Sequence, residues 1–127
     1  MILRLTAPIP SKKNSRLVVG RGRGRALNIP SAQYREWHKA NLGSVRAQLA
    51  AQEIPAAPLE LRLRIYLADR RRRDLDNALS SVLDLLVDAG ALKDDSWAVV
   101  PRMQVEAELA SEEPSAVVEL AEIAPNI

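Results

Sequence analysis

The chain has 127 residues, 47% of them hydrophobic, which is enough for one small domain with a compact core. It contains no cysteine, which excludes disulfide bonds and thiolate-bound metals, and no apolar run approaches the roughly 20 residues needed to cross a bilayer. We therefore expect a soluble, cytoplasmic protein with a single domain over residues 1–127 and no membrane association.

The charged residues are unevenly distributed, although the formal net charge is only +2. Basic residues crowd into 12–25 and 62–73, whereas acidic residues gather in 74–95 and in the C-terminal third. A basic surface neutralises phosphates, and an acidic patch beside it can hold a cation, as a metal-dependent nuclease requires. An ordinary mixed surface explains the same distribution, so charge alone does not decide the function.

A strand and a short hairpin are predicted at the N-terminus. The alternating residues 2–6 predict a strand, which ends before Pro8. Two short strands, 16–19 and 26–29, are predicted around the Gly-Arg repeat of residues 20–25. This repeat is either an arm that contacts DNA phosphates or a solvated hairpin tip.

A long helix is predicted next, over about 31–52, with Ser31 at its start. Apolar residues recur there at helical spacing. The predicted stripe comprises Tyr34, His38, Leu42, Val45 and Leu49. The single histidine, His38, is interpreted as a core or interface residue rather than a catalytic one. Trp37, Trp97 and Tyr34 are likewise interpreted as packing residues rather than base-stacking ones.

The second half of the chain predicts a strand, a helix and two further strands. Strict alternation over 59–67 is typical of a half-buried strand. An amphipathic helix follows, with Asp74 as its N-cap and Gly90 at its C-terminal end. Its polar face comprises Asn77, Ser80, Ser81, Asp84 and Asp88. Alternating runs over about 97–109 and 115–123 are interpreted as a C-terminal hairpin. The whole order predicts a single α+β domain, with a mixed β-sheet and two helices packed on it.

The strongest chemical signal is the segment Asp69-Arg70-Arg71-Arg72-Arg73-Asp74-Leu75-Asp76-Asn77, where the predicted strand passes into the helix. Asp74 and Asp76 lie where the backbone turns, so both carboxylates can converge on a cation such as Mg²⁺, which prefers oxygen ligands. The planar guanidinium groups of Arg70–Arg73 suit phosphate. A helix cap and a solvated arginine loop are the alternatives, but a second acidic pair, Asp94-Asp95, favours a phosphate-handling site.

This nonapeptide, the helix after it and the Asp94-Asp95 pair closely resemble the RusA family of Holliday junction resolvases. The turn Pro10–Arg16 and the helix start Ser31-Ala32-Gln33-Tyr34-Arg35 also resemble the family pattern. The resemblance covers about residues 5–109, and the nonapeptide is its specific part. It implies a homodimeric endonuclease that binds four-way DNA junctions and nicks two strands symmetrically, with Mg²⁺ or Mn²⁺ held by aspartates.

The resemblance also implies residue roles and partners. Asp74, Asp76 and Asp95 would be the catalytic and metal-binding residues, with Asp94 beside them. The candidate DNA-binding residues are Lys12, Lys13, Arg16, Arg70, Arg71, Arg72 and Arg73. The expected partners are four-way or branched DNA and a second copy of the chain, with Mg²⁺ and no small-molecule cofactor. The implied role lies in DNA recombination and repair.

One position departs from the family pattern. The family carries a lysine needed for activity four residues after the second aspartate of the pair, and Ser80 stands there in this chain. Either another cation takes over, with Lys12, Lys13, Lys93 or Arg70–Arg73 as candidates, or catalysis is weakened. The alternative function is thus a branched-DNA-binding module with weak or lost cleavage. The departure also favours a prophage origin.

Overall fold

The computed structural model describes residues 1–11, 16–19, 27–110 and 113–124 of the chain. Six strands and two helices occupy these ranges, in the order predicted for an α+β domain. They are β1 Ile2–Thr6, β2 Arg16–Val19, β3 Leu27–Pro30, α1 Ala32–Ala50, β4 Leu59–Leu67, α2 Leu75–Ala89, β5 Arg102–Leu109 and β6 Ser115–Glu122. No helix in these ranges is long and apolar enough to cross a membrane.

Four of the strands form one mixed sheet, in the order β1-β6-β4-β5. Within it, β4 pairs with antiparallel β6 on one side and with parallel β5 on the other. The described parts of β2 and β3 pair with each other in an antiparallel hairpin, from Arg16↔Pro30 to Val19↔Leu27. The mixed sheet is therefore confirmed, and the hairpin forms a separate two-stranded sheet.

The prediction of a C-terminal hairpin is wrong. β4 lies between β5 and β6, so these two strands are not neighbours. The physical reason is the connection through α2, because a strand–helix–strand crossover favours parallel pairing of the strands that it joins. β5 also begins at Arg102 rather than near residue 97, because the N–H groups of Val99 and Val100 bond back to the Ser96 carbonyl at 3.0 and 2.9 Å.

One face of the sheet carries the core. Leu61, Leu63 and Ile65 of β4 are at most 3% exposed, whereas Arg62 and Arg64 between them face solvent. Both helices contribute buried side chains to the same cluster. Burial of one large aliphatic side chain stabilises the fold by about 1.5–3 kcal/mol. The alternation seen in the sequence therefore identifies the buried face of β4 correctly.

Helix α1 begins at the predicted residue, but the residues that it buries differ in part from the predicted apolar stripe. The Ser31 hydroxyl accepts a hydrogen bond from the Tyr34 N–H at 3.3 Å, as an N-cap does. The buried residues of α1 are Tyr34, Trp37, Asn41, Val45 and Leu49. His38 and Leu42, which spacing assigned to the apolar stripe, are only half-buried. His38 contacts Asp88 of α2, with Nε2 and Oδ2 2.8 Å apart, so it lies at the contact between the helices.

Side chains of α1 also satisfy the backbone of the edge strand β1. The Gln48 amide accepts from the Arg4 N–H at 2.7 Å and donates to the Arg4 carbonyl at 2.8 Å. Asn41 accepts from the Thr6 N–H at 3.0 Å, and the Trp37 indole N–H donates to the Thr6 carbonyl at 2.9 Å. The helix thus takes the place of a further strand at this edge of the sheet.

Candidate functional site

The segment after β4 is held in one conformation by Asp69. Its Oδ1 accepts hydrogen bonds from the Arg71 backbone N–H at 3.0 Å and from the Arg73 guanidinium at 2.7 Å. Arg73 also donates to the carbonyls of Asp69 at 3.2 Å and of Arg71 at 3.0 Å. The Arg71 N–H first, and the Arg73 guanidinium second, lower the pKa of the Asp69 carboxyl below its usual value. Asp69 is therefore charged at neutral pH and fixes the loop.

The four arginines of the predicted DNA-binding run are not equivalent. Arg73 makes its hydrogen bonds within the loop. The Arg71 side chain is 85% exposed, with its Nε 3.8 Å from an Asp69 oxygen, and Arg70 and Arg72 are exposed too. Arg73 consequently organises the loop, while the other three present their charge to solvent, where a phosphate can reach it.

Asp74 occupies the N-cap position of α2, as predicted, but the prediction that its side chain caps the helix is wrong. The carboxylate makes no cap hydrogen bond, and among the described residues its Oδ2 accepts a single, long hydrogen bond, from the Asn77 amide at 3.4 Å. Asp76 follows in the first turn, and both residues are exposed. The two charges lie at the positive end of the helix dipole, and their oxygens are accessible to a cation.

A cavity of about 310 Å³ opens beside these residues. Ser11, Arg72 and Asp74 form part of its polar wall, and Ile65 and Leu67 at the end of β4 form part of its apolar wall. The structure therefore brings together the N-terminal turn at Ser11, the arginine loop (residues 69–73) and the start of α2. These are three of the segments that the sequence assigns to DNA or metal binding.

Ser81 of α2 fixes the N-terminal turn at this position. Its side chain is fully buried, and its hydroxyl donates to the Pro10 carbonyl at 2.7 Å. Ser11, the last described residue before 12–15, is thereby placed beside Asp74. The predicted contacts Lys12 and Lys13 and the Gly-Arg repeat of residues 20–25 lie outside the described residues, and only the backbone of Arg16 is described.

The second acidic pair lies on an exposed loop between two buried anchors. Leu92 and Val99 are buried, and the six residues between them are exposed. The Asp94 carboxylate accepts a hydrogen bond from the Ser96 N–H at 2.8 Å. Hydrogen bonds from Ser96, its side chain first and its N–H second, lower the pKa of Asp94. Asp94 thus shapes the loop, whereas Asp95 faces solvent.

Helix α2 separates the two acidic pairs. With 15 residues it is about 22 Å long, and Asp74 and Asp76 lie at its start, whereas Asp95 follows its end. The Val99 carbonyl then accepts from the Leu59 N–H at 2.8 Å, so the loop leads to the start of β4. Within one chain, Asp95 is therefore not brought to the other two aspartates. Accordingly, the described ranges contain no group of three or more His, Cys, Asp or Glu residues that could hold a metal ion.

The donor chemistry at the start of α2 nevertheless suits a hard divalent cation. Asp74 and Asp76 offer accessible carboxylate oxygens that are not engaged in capping. Mg²⁺ is often bound through one or two carboxylates, with waters and substrate phosphates completing its shell. Two of the three predicted ligands fit such a site, and the assignment of all three to one cation stays a prediction.

The sequence pattern predicts the wrong environment for Trp97. It was predicted to pack, but it is 83% exposed, two residues after Asp95, whereas Trp37 is buried as predicted. A strand was expected to begin at residue 97, and the turn at Ser96 removes that strand. An exposed indole offers a stacking surface to nucleic-acid bases.

Two further residues position the site and were not predicted to do so. Asp69 carried a signal, because an aspartate commonly bonds the N–H two residues ahead of it in a turn. Ser81 carried none, because helical spacing assigned it to the polar face of α2. Its burial depends on the N-terminal turn, which reaches α2 only in the folded chain.

Comparison with known proteins relates most of the chain to one nuclease family. The sequence model of that family, described as endodeoxyribonuclease RusA, matches residues 7–121. The crossover junction endodeoxyribonucleases RusA of Escherichia coli strain K12 and of Escherichia coli O1:K1 / APEC are each 30% identical to the chain over 95 residues, 75% of either length. RusA of Shigella sonnei strain Ss046 is 43% identical over 44 residues, 35% of this chain and 37% of its own. The predicted resemblance is confirmed.

Replacing Asp69 by alanine is expected to release the arginine loop without unfolding the domain. The Arg71 N–H loses its acceptor, so its amide hydrogen should exchange with solvent at least tenfold faster, while the amides of β4 keep their protection. Hydrogen-exchange NMR measures both sets of amides, and the exposed Glu108→Ala variant is the control. Because the pKa of Asp69 is lowered, the loop in the wild-type protein should stay ordered as the pH falls through about 4, and should open only below it. Unchanged exchange at Arg71 in Asp69→Ala would show that the carboxylate does not hold the loop.

Proposed function

Since this chain belongs to the RusA family of endodeoxyribonucleases, we propose that it resolves Holliday junctions by paired, Mg²⁺-dependent nicking in DNA recombination and repair. The observation that carries the proposal is the segment 69–77, in which three solvent-facing arginines and two accessible carboxylates lie within seven consecutive residues, 70–76. Metal-assisted hydrolysis of a phosphodiester uses both a phosphate-binding and a cation-binding element. Branched DNA as substrate agrees with the relatives, which are named crossover junction endodeoxyribonucleases.

Asp74 and Asp76 are the residues to which we assign the cation, with Asp95 as the third member of the predicted set. A bound Mg²⁺ or Mn²⁺ would make a water molecule more acidic and offset negative charge on the phosphate. The remaining tasks fall to the chain itself. Arg70, Arg71 and Arg72 bind the DNA backbone, and the Asp69–Arg73 contact keeps them in place at the end of β4.

The runner-up function is a branched-DNA-binding module with weak or lost cleavage, and Ser80 is the observation that favours it. Serine carries no charge and is too short to replace a lysine. The family's lysine would supply a positive charge that Ser80 lacks. We infer that this charge comes from the basic segment after Ser11, because Ser11 lines the cavity beside Asp74 and Lys12 is the next residue in the sequence.

Removing one carboxylate tests the cation assignment. Asp76→Asn keeps the size of the side chain but removes its charge, so Mg²⁺-dependent nicking of a synthetic four-way junction should fall by at least a hundredfold, while binding of the junction persists. Single-turnover cleavage and gel-shift titration measure the two effects. The matched control is Glu36→Gln, which removes an exposed carboxylate from α1 and should cut normally. Wild-type cleavage by Asp76→Asn would overturn the assignment.

Removing two exposed arginines tests the phosphate contacts. In Arg71→Ala/Arg72→Ala, each lost phosphate contact should flatten the dependence of log affinity on log salt by about one unit. Arg35→Ala/Lys39→Ala removes the same charge from the exposed face of α1 and should leave the slope unchanged. Fluorescence anisotropy with a labelled junction, at several salt concentrations, gives the slopes. Equal slopes for the wild type and the loop variant would exclude these arginines as contacts.

Trp97 is expected to stack on a base at the junction. One base–aromatic contact is worth about 1–3 kcal/mol, or roughly a five- to hundredfold change in Kd, so Trp97→Ala should weaken binding by that factor and Trp97→Phe should retain most of the affinity. The chain has only two tryptophans and Trp37 is buried, so quenching of intrinsic fluorescence by the junction should come from Trp97. Full affinity and unchanged quenching in Trp97→Ala would remove Trp97 from the interface.

The source of the missing charge can be located by three variants. If Lys12 or Lys13 supplies it, alanine at that position should abolish cutting, and Ser80→Lys should add little. If nothing supplies it, Ser80→Lys should raise single-turnover cleavage by about a hundredfold, since one charge near the reacting phosphate is worth about 3 kcal/mol. The rates of all three variants at saturating enzyme decide between the two explanations. No change in any variant would point to the arginine loop.

A further inference from the structure

The cavity beside Asp74 has a lining that the binding of a phosphate and a cation does not explain. Six of the eleven described residues that line it are apolar, namely Pro8, Ile9, Ile65, Leu67, Leu75 and Ala78. A charged group gains nothing from an apolar wall, because burial against such a wall removes the water that solvates the charge. The arginines and carboxylates of segment 69–77 therefore account for the polar part of the lining but not for its apolar part.

The apolar wall is continuous with the core of the domain, yet part of it stays accessible. Ile65 is only 3% exposed, whereas Ile9, Leu67 and Leu75 are half-buried and pack against the core cluster from outside. No described side chain fills the space of about 310 Å³ between them. Pockets for small ligands have volumes of about 300–1,000 Å³, a mainly apolar lining and a few polar groups. The cavity is thus large enough for one small organic group.

The walls of the cavity belong to elements that the fold holds in place. Leu67 lies on β4, which is hydrogen-bonded along both edges, and Leu75 lies in the first turn of α2. Ile9 precedes Pro10, whose carbonyl accepts the 2.7 Å hydrogen bond from the buried Ser81. The cavity therefore exists before any ligand binds, and a preformed site loses less conformational entropy on binding than one that must be assembled.

The polar residues of the lining suit the edges and the phosphate of a nucleotide. Among the described residues, the Asn77 amide makes one long hydrogen bond, to Asp74 at 3.4 Å, so it can still donate to and accept from the edge of a base. The exposed guanidinium of Arg72 is planar, and such a group either binds a phosphate or stacks on a base. Asp74, to which we assign the cation, lines the same cavity. A phosphate held at that cation therefore lies next to the apolar wall.

We propose that this cavity takes up one unstacked nucleobase of the cleaved strand, namely a base next to the phosphate held at Asp74. A nucleobase has apolar faces and hydrogen-bonding edges and is linked to a phosphate, and the lining offers a complement to all three. An apolar side chain of a partner protein also fits an apolar wall, but it carries no charge for the neighbouring arginines to neutralise. The inference rests on the proposed function, because it specifies how the nuclease site holds its DNA.

Uptake of a base favours branched DNA over an uninterrupted duplex. Within a duplex the base is paired and stacked on both sides, so moving it into the cavity costs more than moving a base that is already unpaired or poorly stacked. Stacking is interrupted where strands exchange at a junction. A base held in the cavity also fixes the position of its own phosphate beside Asp74 and Asp76, and such positioning accelerates the attack on phosphorus.

A fluorescent base analogue tests the uptake without cleavage, because the fluorescence of 2-aminopurine rises when it leaves the base stack. Four-way junctions that carry the analogue at single positions around the branch point are bound without a divalent cation. At one position the wild type should raise the fluorescence severalfold. Ala78→Met and Ile9→Phe fill the cavity and should abolish the rise, whereas Ala40→Met adds the same methionine to the exposed face of α1 and should retain it. Thermal unfolding checks that each variant folds. A bound junction with no bright position, or a rise that persists in both filled variants, would overturn the proposal.

Removal of the base from the DNA tests the same contact through cleavage. With an abasic nucleotide at the bright position, single-turnover nicking by the wild type should slow about fivefold or more, since one base contact is lost. Ala78→Met should nick the intact and the abasic junction at the same low rate, because two changes that remove one contact are not additive. Slowing of both junctions by the same factor in Ala78→Met would refute uptake of the base. If the wild type nicks neither junction, the proposed nuclease function fails, and the fluorescence measurement, which needs no cleavage, still decides whether the base is taken up.

Discussion

Strand β4 is the constraint on which the rest of the molecule depends, since it is hydrogen-bonded along both edges and buried on one face. Its odd-numbered residues define which side of the sheet the helices cover. Segment 69–77 follows its carboxyl end, so β4 also determines where this segment lies. The crossover through α2 then returns the chain in parallel, which fixes the place of β5 and the distance between the two acidic pairs. A change in the register of β4 would move the core and the site together.

The charged residues of the site fall into two groups: some hold the loop in its conformation, and the others face solvent. Asp69 and Arg73 bond to each other and to the backbone, so their charges are compensated inside the loop. Arg70–Arg72, Asp74 and Asp76 keep their side chains exposed, although the backbone of Arg71 takes part in the hydrogen bonds of the loop. A loop ordered in advance loses less conformational entropy when it binds a phosphate than a mobile one does. The same division recurs in the second loop, where Asp94 bonds Ser96 and Asp95 stays exposed.

Polar side chains with short reach connect distant parts of this small domain. Asn41 is almost fully buried and bonds both the backbone and the hydroxyl of Thr6. At the site, the Ser81 hydroxyl similarly donates a hydrogen bond to the Pro10 carbonyl. Two of these bonds pair backbone groups, the Thr6 N–H and the Pro10 carbonyl. Pro10 is buried, and a buried backbone group left unpaired costs about 1–3 kcal/mol. One edge of the sheet and the N-terminal turn are both secured in this way.

The sequence by itself determined the elements and the chemistry that depends on neighbours along the chain. Alternation defined β1 and β4, Ser31 and Gly90 bounded the helices, and the nonapeptide identified the family, because each of these signals spans a few consecutive residues. Tertiary structure alone decided which strands pair, since alternation is the same for a hairpin strand and for a strand inserted by a crossover. It also decided that Asn41 and Ser81 are buried, that Trp97 is exposed, and that α2 separates Asp95 from Asp74. These outcomes depend on contacts between residues far apart in the chain, and local periodicity carries no information about such contacts.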